Sequence, residues 1–600
     1  MSILTSLSRQ FNLTGRRSKR TLRTTVVCLF LFLVCLTVYL SSSNLETVSD
    51  VNRPKKQFQK NPQPSKKDWH DWTAISADLA KKGAGEGGLP FHLPLETDSA
   101  RNKKQELYRV NGFNALASDH ISLNRSVRDI RHKGCHKKLY LNRLPTVSVI
   151  LPFHNEHMST LLRSVYSIVD RSPPELLKEV ILADDYSVKE FLGLQLDSYV
   201  KKTWPEKVRI VRASQREGLI RARLMGAKVA QADVIIFLDS HSECNYNWLP
   251  PLLEPIAKDR KTAVCPFVDV VDYETFEYRA QDEGARGAFD WELYYKRLPL
   301  LPESLKNPTE PFDDPVMAGG YFAIDRQWFW ELGGYDEGLD IWGGEQYELS
   351  FKLWQCGGKL VDAPCSRVGH IYRKFSPFPN AGKGDYIGRN YKRVAEVWMD
   401  EFKEYLYNRR PHYRRVAPGD LTKQKALREK LNCKSFRWFM TEVAFDLPKK
   451  YPPIEPPNKA EGDLRPKSAM QLCVDTRFKG QNSRFELQPC IRGSTGHGGE
   501  QFLMYSLAED IRPRKRQMCW DVSTSHDRSP VVLFPCHGQK GNQYWRYRAK
   551  THQLYHPISM MCLDCDTERN EIYMRRCDEH SDTQRWVWQT LQLNATAHPF

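Results

Sequence analysis

The sequence predicts an α/β domain built on a doubly wound parallel sheet, then a smaller all-β domain of three repeats, both behind one apolar membrane segment. Three observations carry this. From about residue 145, short apolar runs rich in β-branched residues alternate with helix-like stretches. After residue 460 a Cys-x-Asp triplet recurs three times at nearly equal spacing. Near the N-terminus, an uncharged apolar run lies between two basic clusters.

The 600 residues suffice for several domains, and the net charge of +17 raises the question of a nucleic-acid partner. Its placement argues against one. Arg9, Arg16, Arg17, Lys19, Arg20 and Arg23 precede the first acid, Glu46, and a second basic cluster runs from Arg53 to Lys67. These are flanking and linker charges, not a basic surface interleaved with aromatics. Residues 1–23 read as a cytosolic tail and 24–43 as a transmembrane signal anchor, with basic residues on its cytosolic side. A cleaved signal peptide is the alternative. The anchor reading places the body of the chain in the secretory lumen. Of the fifteen cysteines, Cys28 and Cys35 fall in the apolar segment. The remaining thirteen suit an oxidising compartment, and their odd number leaves at least one thiol unpaired. Asn124-Arg-Ser and Asn594-Ala-Thr are candidate N-glycosylation sites, whereas Asn12 falls on the cytosolic side. Residues 44–105, rich in Lys, Pro and Gly, read as a stem too poor in apolar residues to bury a core.

The α/β pattern begins with the apolar run from Val147 to Leu151 and a helix-like stretch from Ser159 to Asp170. A second strand from Val180 to Ala183 ends in Asp184-Asp185, and a third spans 208–211. A helix over about 219–230 leads into Val234-Ile235-Ile236-Phe237-Leu238, which ends in Asp239-Ser240-His241. Ligands of doubly wound sheets bind at the carboxyl ends of strands, where Asp185 and Asp239 fall. A carboxylate and an imidazole two residues apart are half of a divalent metal site; the alternative is a loop pair that merely caps the strand. No GxGxxG follows the first strand and no Walker lysine loop is present, so a nucleotide would be held another way. A second dense stretch runs through Gly319-Gly320 and Trp342-Gly343-Gly344-Glu345 into a helix over 346–356. Glu345 suits a contact to a substrate hydroxyl, or else simply the positive end of the helix dipole. His370 offers a third metal ligand, Arg373 a diphosphate contact, and the Pro-, Gly- and Lys-rich loop over 374–385 a lid.

Residues 446–460 are a proline-rich linker. Beyond it, Cys473-Val-Asp475, Cys519-Trp-Asp521 and Cys562-Leu-Asp564 each precede a second cysteine, Cys490, Cys536 and Cys577. Each unit closes on a Gln-led segment, at Gln501, Gln543 and Gln584. Three such units suit a β-trefoil over 461–595, held by disulfides, with the Gln-x-Trp residues mainly structural and Cys565 left over.

Taken together, Phe153-His-Asn-Glu156, Asp184-Asp185, Arg216-Glu-Gly-Leu219, Asp239-Ser-His241, Trp342-Gly-Gly-Glu345 and His370-Ile-Tyr-Arg373 resemble the motifs of the polypeptide N-acetylgalactosaminyltransferases. The resemblance covers about 105–595, and the C-terminal repeats resemble that family's ricin-type lectin domain. It implies a GT-A catalytic domain over 106–445 and Mn2+ held by Asp239, His241 and His370. It implies UDP-GalNAc contacts from Asp185, Arg216, Ser240, Trp342 and Arg373, with Glu345 at the reacting sugar. It further implies transfer to Ser/Thr hydroxyls of peptides or GalNAc-bearing glycopeptides with retention of the α configuration, and disulfides joining Cys135 to Cys365 and Cys356 to Cys433.

The chain departs from that pattern in the lid. Where many members carry a His and a Tyr, Ser376 and Phe378 stand, so a polar contact to UDP is expected to be missing. His-Ile-Tyr-Arg-Lys and Glu-Gln-Tyr-Glu-Leu look closest to the branch that prefers acceptors already bearing GalNAc. Of the trefoil units only the second carries the full sugar-binding set, Asp521, His537 and Asn542; Glu500 and Thr583 replace the Asn elsewhere. Two rival readings stand beside the transferase: a secretory GalNAc-binding lectin with a weakened catalytic domain, and a GT-A enzyme using another UDP-sugar.

Overall fold

The structure, a computed structural model, describes residues 65–94, 96–281, 284–378, 382–454, 456–491, 499–514, 516–538 and 540–594. The expected tail, membrane anchor and stem residues 44–64 lie outside these. Among the described residues no helix is long and apolar enough to cross a membrane.

Over residues 66–105 the structure contradicts the stem expectation: from Lys66 the chain is built into the α/β body. Lys66–Lys67 pairs antiparallel with Tyr140–Leu141, and Trp69 is buried, its indole N–H donating to the Leu141 carbonyl at 3.0 Å. Helix α1, Trp72–Leu79, is capped by the Asp71 side chain and buries Ile75. The Gly-rich turn is fixed by Glu86, whose carboxylate accepts from the Ser126 N–H at 2.7 Å and hydroxyl at 2.6 Å. Apolar density alone misses this segment because one tryptophan and a polar network hold it.

The catalytic domain is organised around a ten-stranded sheet. Its principal strands are β1 (Val147–Phe153), β2 (Leu177–Asp184), β3 (Val208–Arg212), β4 (Val234–Phe237), β5 (Ser242–Cys244), β6 (Thr262–Val271), β7 (Phe312–Asp313), β8 (Phe322–Asp325) and β9 (Lys359–Ile371). Their order is β7-β9-β6-β8-β4-β1-β2-β3, with β5 added to β9. The sheet is mixed, not wholly parallel. β1, β2, β3 and β4 run parallel, but β8 runs antiparallel to β4 and β6. The residues before β8 form a loop and not a crossover helix, so the strand can return in the opposite sense.

Alternation along the strands supplies both layers of core. Val149, Leu151, Val180, Leu182, Val234 and Ile236 pack on one face with helix α2, Met158–Asp170, through Leu161, Leu162, Val165 and Ile168. Ile150, Ile181, Ile235 and Phe237 point to the other. There they meet α3 (Leu219–Val229), α4 (Glu345–Gln355) and α5 (Tyr386–Trp398). Burial on both faces explains why these strands read as continuous apolar runs. The disulfides Cys135–Cys365 and Cys356–Cys433 are both present.

The trefoil is threefold at atomic detail. Cys473–Cys490, Cys519–Cys536 and Cys562–Cys577 are bridged. Gln501, Gln543 and Gln584 donate to Asp475, Asp521 and Asp564 at 3.1, 3.2 and 3.1 Å. The same amides donate to the carbonyls of Pro489, Pro535 and Arg576. Trp520, Trp545 and Trp586 fill the core. Cys565 is a free, buried thiol; Cys244 and Cys265 in the catalytic domain are two more.

Candidate active site

The parallel register places Asp185 just beyond β2 and Asp239 just beyond β4, on the carboxyl edge of the sheet. Antiparallel pairing of β5 with β9 sets His370 opposite Ser242, so the histidine far along the chain meets the one beside Asp239. The Nε2 atoms of His241 and His370 lie 3.1 Å apart. Asp239 Oδ2 lies 3.5 Å from His370 Nε2. One ligand atom from each of the three residues falls within 4.8 Å of the others. A Cβ at Gly320 would stand 3.2 Å from Asp239 Oδ2 and press on this ligand.

The donor set fits a divalent cation. Glu156 accepts a hydrogen bond from His241 Nδ1 at 2.9 Å. That fixes the proton on Nδ1 and turns the Nε2 lone pair toward His370. Burial, and His241 beside it, push His370 down to about 3, so its imidazole is neutral. One carboxylate and two imidazoles converging on one point are ligands that a Mn2+-like ion accepts.

Glu156 is the hub of the site. The same Oε2 accepts from Ser240 Oγ at 3.1 Å and from Arg373 at 2.6 Å. Burial alone would raise this carboxyl, but Arg373 and His241 outweigh it and hold it well below the usual range. Ser240 is therefore engaged with Glu156 and is buried. Arg373 is braced from its other side by the Asn111 carbonyl, and its guanidinium lies 5.5 Å from the Phe378 ring. Phe378 also approaches His154, at 5.8 Å between centroids. Ser376 is exposed.

A second chain of contacts ties the nucleotide-side residues to Glu345. Asp185 pairs with Arg216 and accepts from the N–H groups of Glu217 at 2.7 Å and Gly218 at 2.9 Å. Its carboxylate is thus spent on shaping the 216–218 loop. Gly218 has φ of 93°, and a Cβ there would fall 2.5 Å from the Ile341 Cα. The close approach lets Leu219 N–H donate to the Ile341 carbonyl at 2.9 Å, immediately before Trp342. Trp342 is half-exposed at the mouth, whereas Glu345 is buried at the first turn of α4. Burial raises the Glu345 carboxyl, with Arg223 opposing. Its Oε2 has no partner among the described residues. A cavity of about 320 Å3 joins Glu345, Trp342, Asp239 and His370.

Sequence reasoning missed two residues that organise this centre. Arg223, on α3, lies between Asp239 and Glu345, 3.4 Å from each. Asn390, on α5, accepts from Asp340 N–H at 2.9 Å and donates to the carbonyls of Asp340 and Gly343 at 2.7 and 2.8 Å. The helical phase of Arg223 among buried Ile220, Leu224 and Ala227 was the available signal for an inward arginine. Nothing local marks Asn390.

In the trefoil, Asn542 is exposed and its side chain makes no hydrogen bond among the described residues. Its backbone carbonyl accepts from Val522 N–H at 2.9 Å, beside Asp521. His537 N–H donates to Gln543. In the first unit Glu500 is engaged by Thr476 at 2.5 Å and Arg516 at 2.6 Å, while a cavity of about 440 Å3 opens at Asp475.

Residues 148–333 match Glycosyl transferase family 2, 304–375 the N-terminal domain of galactosyltransferase, and 460–586 the ricin-type beta-trefoil lectin domain. The putative polypeptide N-acetylgalactosaminyltransferase 10 of Caenorhabditis briggsae is 58% identical over 89% of this chain and 85% of its own length. Human polypeptide N-acetylgalactosaminyltransferase 10 is 52% identical over 90% and 89%. The crystal structure of GalNAc-T7 with UDP, GalNAc and Mn2+ superimposes with a TM-score of 0.62 at 38% identity, covering 91% of this chain and 98% of that one. The chain belongs to the polypeptide N-acetylgalactosaminyltransferase family.

Proposed function

We propose that this chain transfers GalNAc from UDP-GalNAc to Ser/Thr hydroxyls of polypeptides, with retention of the α configuration. The observation that carries this is the convergence of Asp239, His241 and His370 beside Arg373 and the buried Glu345. The three ligands would hold Mn2+, which supplies a Lewis acid against the charge that develops on departing UDP. Glu156 keeps His241 in the ligating tautomer and aims Arg373 toward the diphosphate. Asp185, through the 216–218 loop, sets the position of Trp342 over the donor sugar. Glu345, its carboxyl raised by burial and its Oε2 unpartnered, is placed to hydrogen-bond a sugar hydroxyl. The acceptor hydroxyl is the nucleophile, so the chain need not supply one.

Finer readings belong to the same proposal. The branch-like motifs favour GalNAc-bearing acceptors. The second trefoil unit binds GalNAc through Asp521, His537 and Asn542. The 24–43 segment anchors the chain as a type II Golgi membrane protein, with both domains lumenal and Asn124 and Asn594 glycosylated. The test is incubation with Mn2+, a panel of UDP-sugars, and naked and GalNAc-bearing Ser/Thr peptides. Selective transfer of GalNAc supports the reading; transfer of another sugar, or none, overturns it.

A further inference from the structure

A cavity of about 860 Å3 separates α1 and its flanking residues from the end of α2 and the turn that follows. Clefts of this volume hold organic ligands. Its walls are braced apart. Asp78 on α1 accepts from Tyr246 at 2.8 Å and pairs with Arg171 at 3.2 Å. Lys81 donates to the Asn124 carbonyl at 2.7 Å.

Three features of the lining point to a carbohydrate. First, Trp72 is 46% exposed yet rigid. Its indole N–H donates to Asp68 at 2.9 Å and its ring stacks on His70 at 4.5 Å. A fixed, exposed indole offers its face to the C–H side of a sugar ring. Second, charged side chains of both signs line it, Asp78, Glu175 and Glu243 beside Lys81, Arg125 and Arg171. A lining of mixed charge suits a polyhydroxylated ligand and opposes an acyl chain. Third, Asn124 itself lines this cavity. It is exposed, and only its Oδ1 is engaged, by Ser122 at 2.8 Å, which leaves Nδ2 open at the head of the Asn124-Arg-Ser126 sequon.

We propose that the N-linked glycan on Asn124 folds back into this cavity, its first N-acetylhexosamines stacking on Trp72, and clamps α1 to the catalytic body. Covalent attachment at the rim gives the sugar an effective concentration of about millimolar, so a weak sugar–aromatic contact is populated. The strut secures α1, the first helix among the described residues. It rests on the lumenal placement proposed above, and Asn594 separates the two: carbohydrate on Asn594 but not on Asn124 overturns the strut alone, while carbohydrate on neither overturns both.

The test uses the full-length chain extracted in detergent from the membranes of N-glycosylating cells. Glycopeptide mass spectrometry reads occupancy, and limited trypsinolysis reads cleavage at Lys81 and Lys82. Enzymatic removal of the whole glycan, or Asn124→Gln, is expected to speed that cleavage about fivefold, as local opening becomes easier. Trimming to the first sugar leaves it slow, and Asn594→Gln has no effect. Trp72→Ala with the glycan intact speeds cleavage as much as Asn124→Gln, and the double variant is no faster than either. Transferase activity confirms that each variant is folded. Additive effects, unchanged cleavage after glycan removal, or protection by residues before 65 in sugar-free protein would overturn the proposal.

Discussion

Glu156 shows how one side chain sets the chemistry of others. It touches His241, Ser240 and Arg373 at once, and the Arg373 guanidinium together with the His241 hydrogen bond holds it ionised in spite of burial. Glu156→Gln keeps the shape and removes the charge. The Mn2+ concentration for half-maximal transfer should rise about 10- to 100-fold, the usual effect of removing a carboxylate behind a metal-bound His. Excess Mn2+ should recover part of the rate; an unchanged Mn2+ requirement would refute this role. A second pair governs pH behaviour. Burial pushes Asp314 up to about 7, and burial plus the charge of Asp314 push Asp362 well above the carboxylate range. Both folded values exceed the unfolded one of about 3.9. The neutral pair therefore stabilises fully below that value, and this is lost as pH rises through about 7. Glu348, pushed up to about 7 by burial against the opposition of Lys352, adds the same sign. The Tm should fall from pH 6 to pH 8, and Asp362→Asn should flatten the slope without abolishing it. A slope unchanged in the variant would show that the pair does not titrate in this window.

The elements add what no single residue can. The bridge from the 216–218 loop to Ile341 connects the β2 edge to the turn that presents Trp342 and Glu345. Gly218→Ala places a Cβ inside the Ile341 backbone and strains a left-handed position, at a cost of about 1–3 kcal/mol. Asn390→Ala frees the far side of the same turn. In both, kcat should fall while the Mn2+ requirement stays fixed, because the metal ligands lie on other elements. A shift in the Mn2+ requirement would show that the two halves of the site are not independent. The strands that carry Asp185 and Asp239 were legible in the sequence, because parallel strands buried on both faces leave unbroken apolar runs. The antiparallel sense of β8 was not, since strand direction depends on the connection and leaves no mark in periodicity. Arg223 and Asn390 escaped for a related reason. A polar residue on a helix looks alike whether it faces solvent or, as here, a backbone or carboxylate distant in sequence. The ordered segment from Lys66 reads as linker until Trp69 is seen against Leu141.

At the scale of the whole chain, the sugar-recognising chemistry is divided between two folds with separate cores. The account predicts that their functions come apart. Asn542→Ala, which removes no side-chain hydrogen bond among the described residues, should abolish GalNAc-glycopeptide binding by the trefoil while preserving transfer to naked peptide. Retained binding would shift the lectin site to another unit, for which the cavity at Asp475 is the first place to look. Asp239→Ala should do the reverse. The most direct measurement is therefore the initial rate of GalNAc transfer from UDP-GalNAc to a Ser/Thr peptide. It is taken with Mn2+ and with chelator, for the native chain and for Asp239→Ala. The predicted result is transfer by the native chain with Mn2+ alone, none with chelator and none by Asp239→Ala, whose GalNAc binding stays intact. Transfer by the native chain in chelator, or undiminished transfer by Asp239→Ala, would contradict the assignment of Asp239, His241 and His370 as the metal centre of this enzyme.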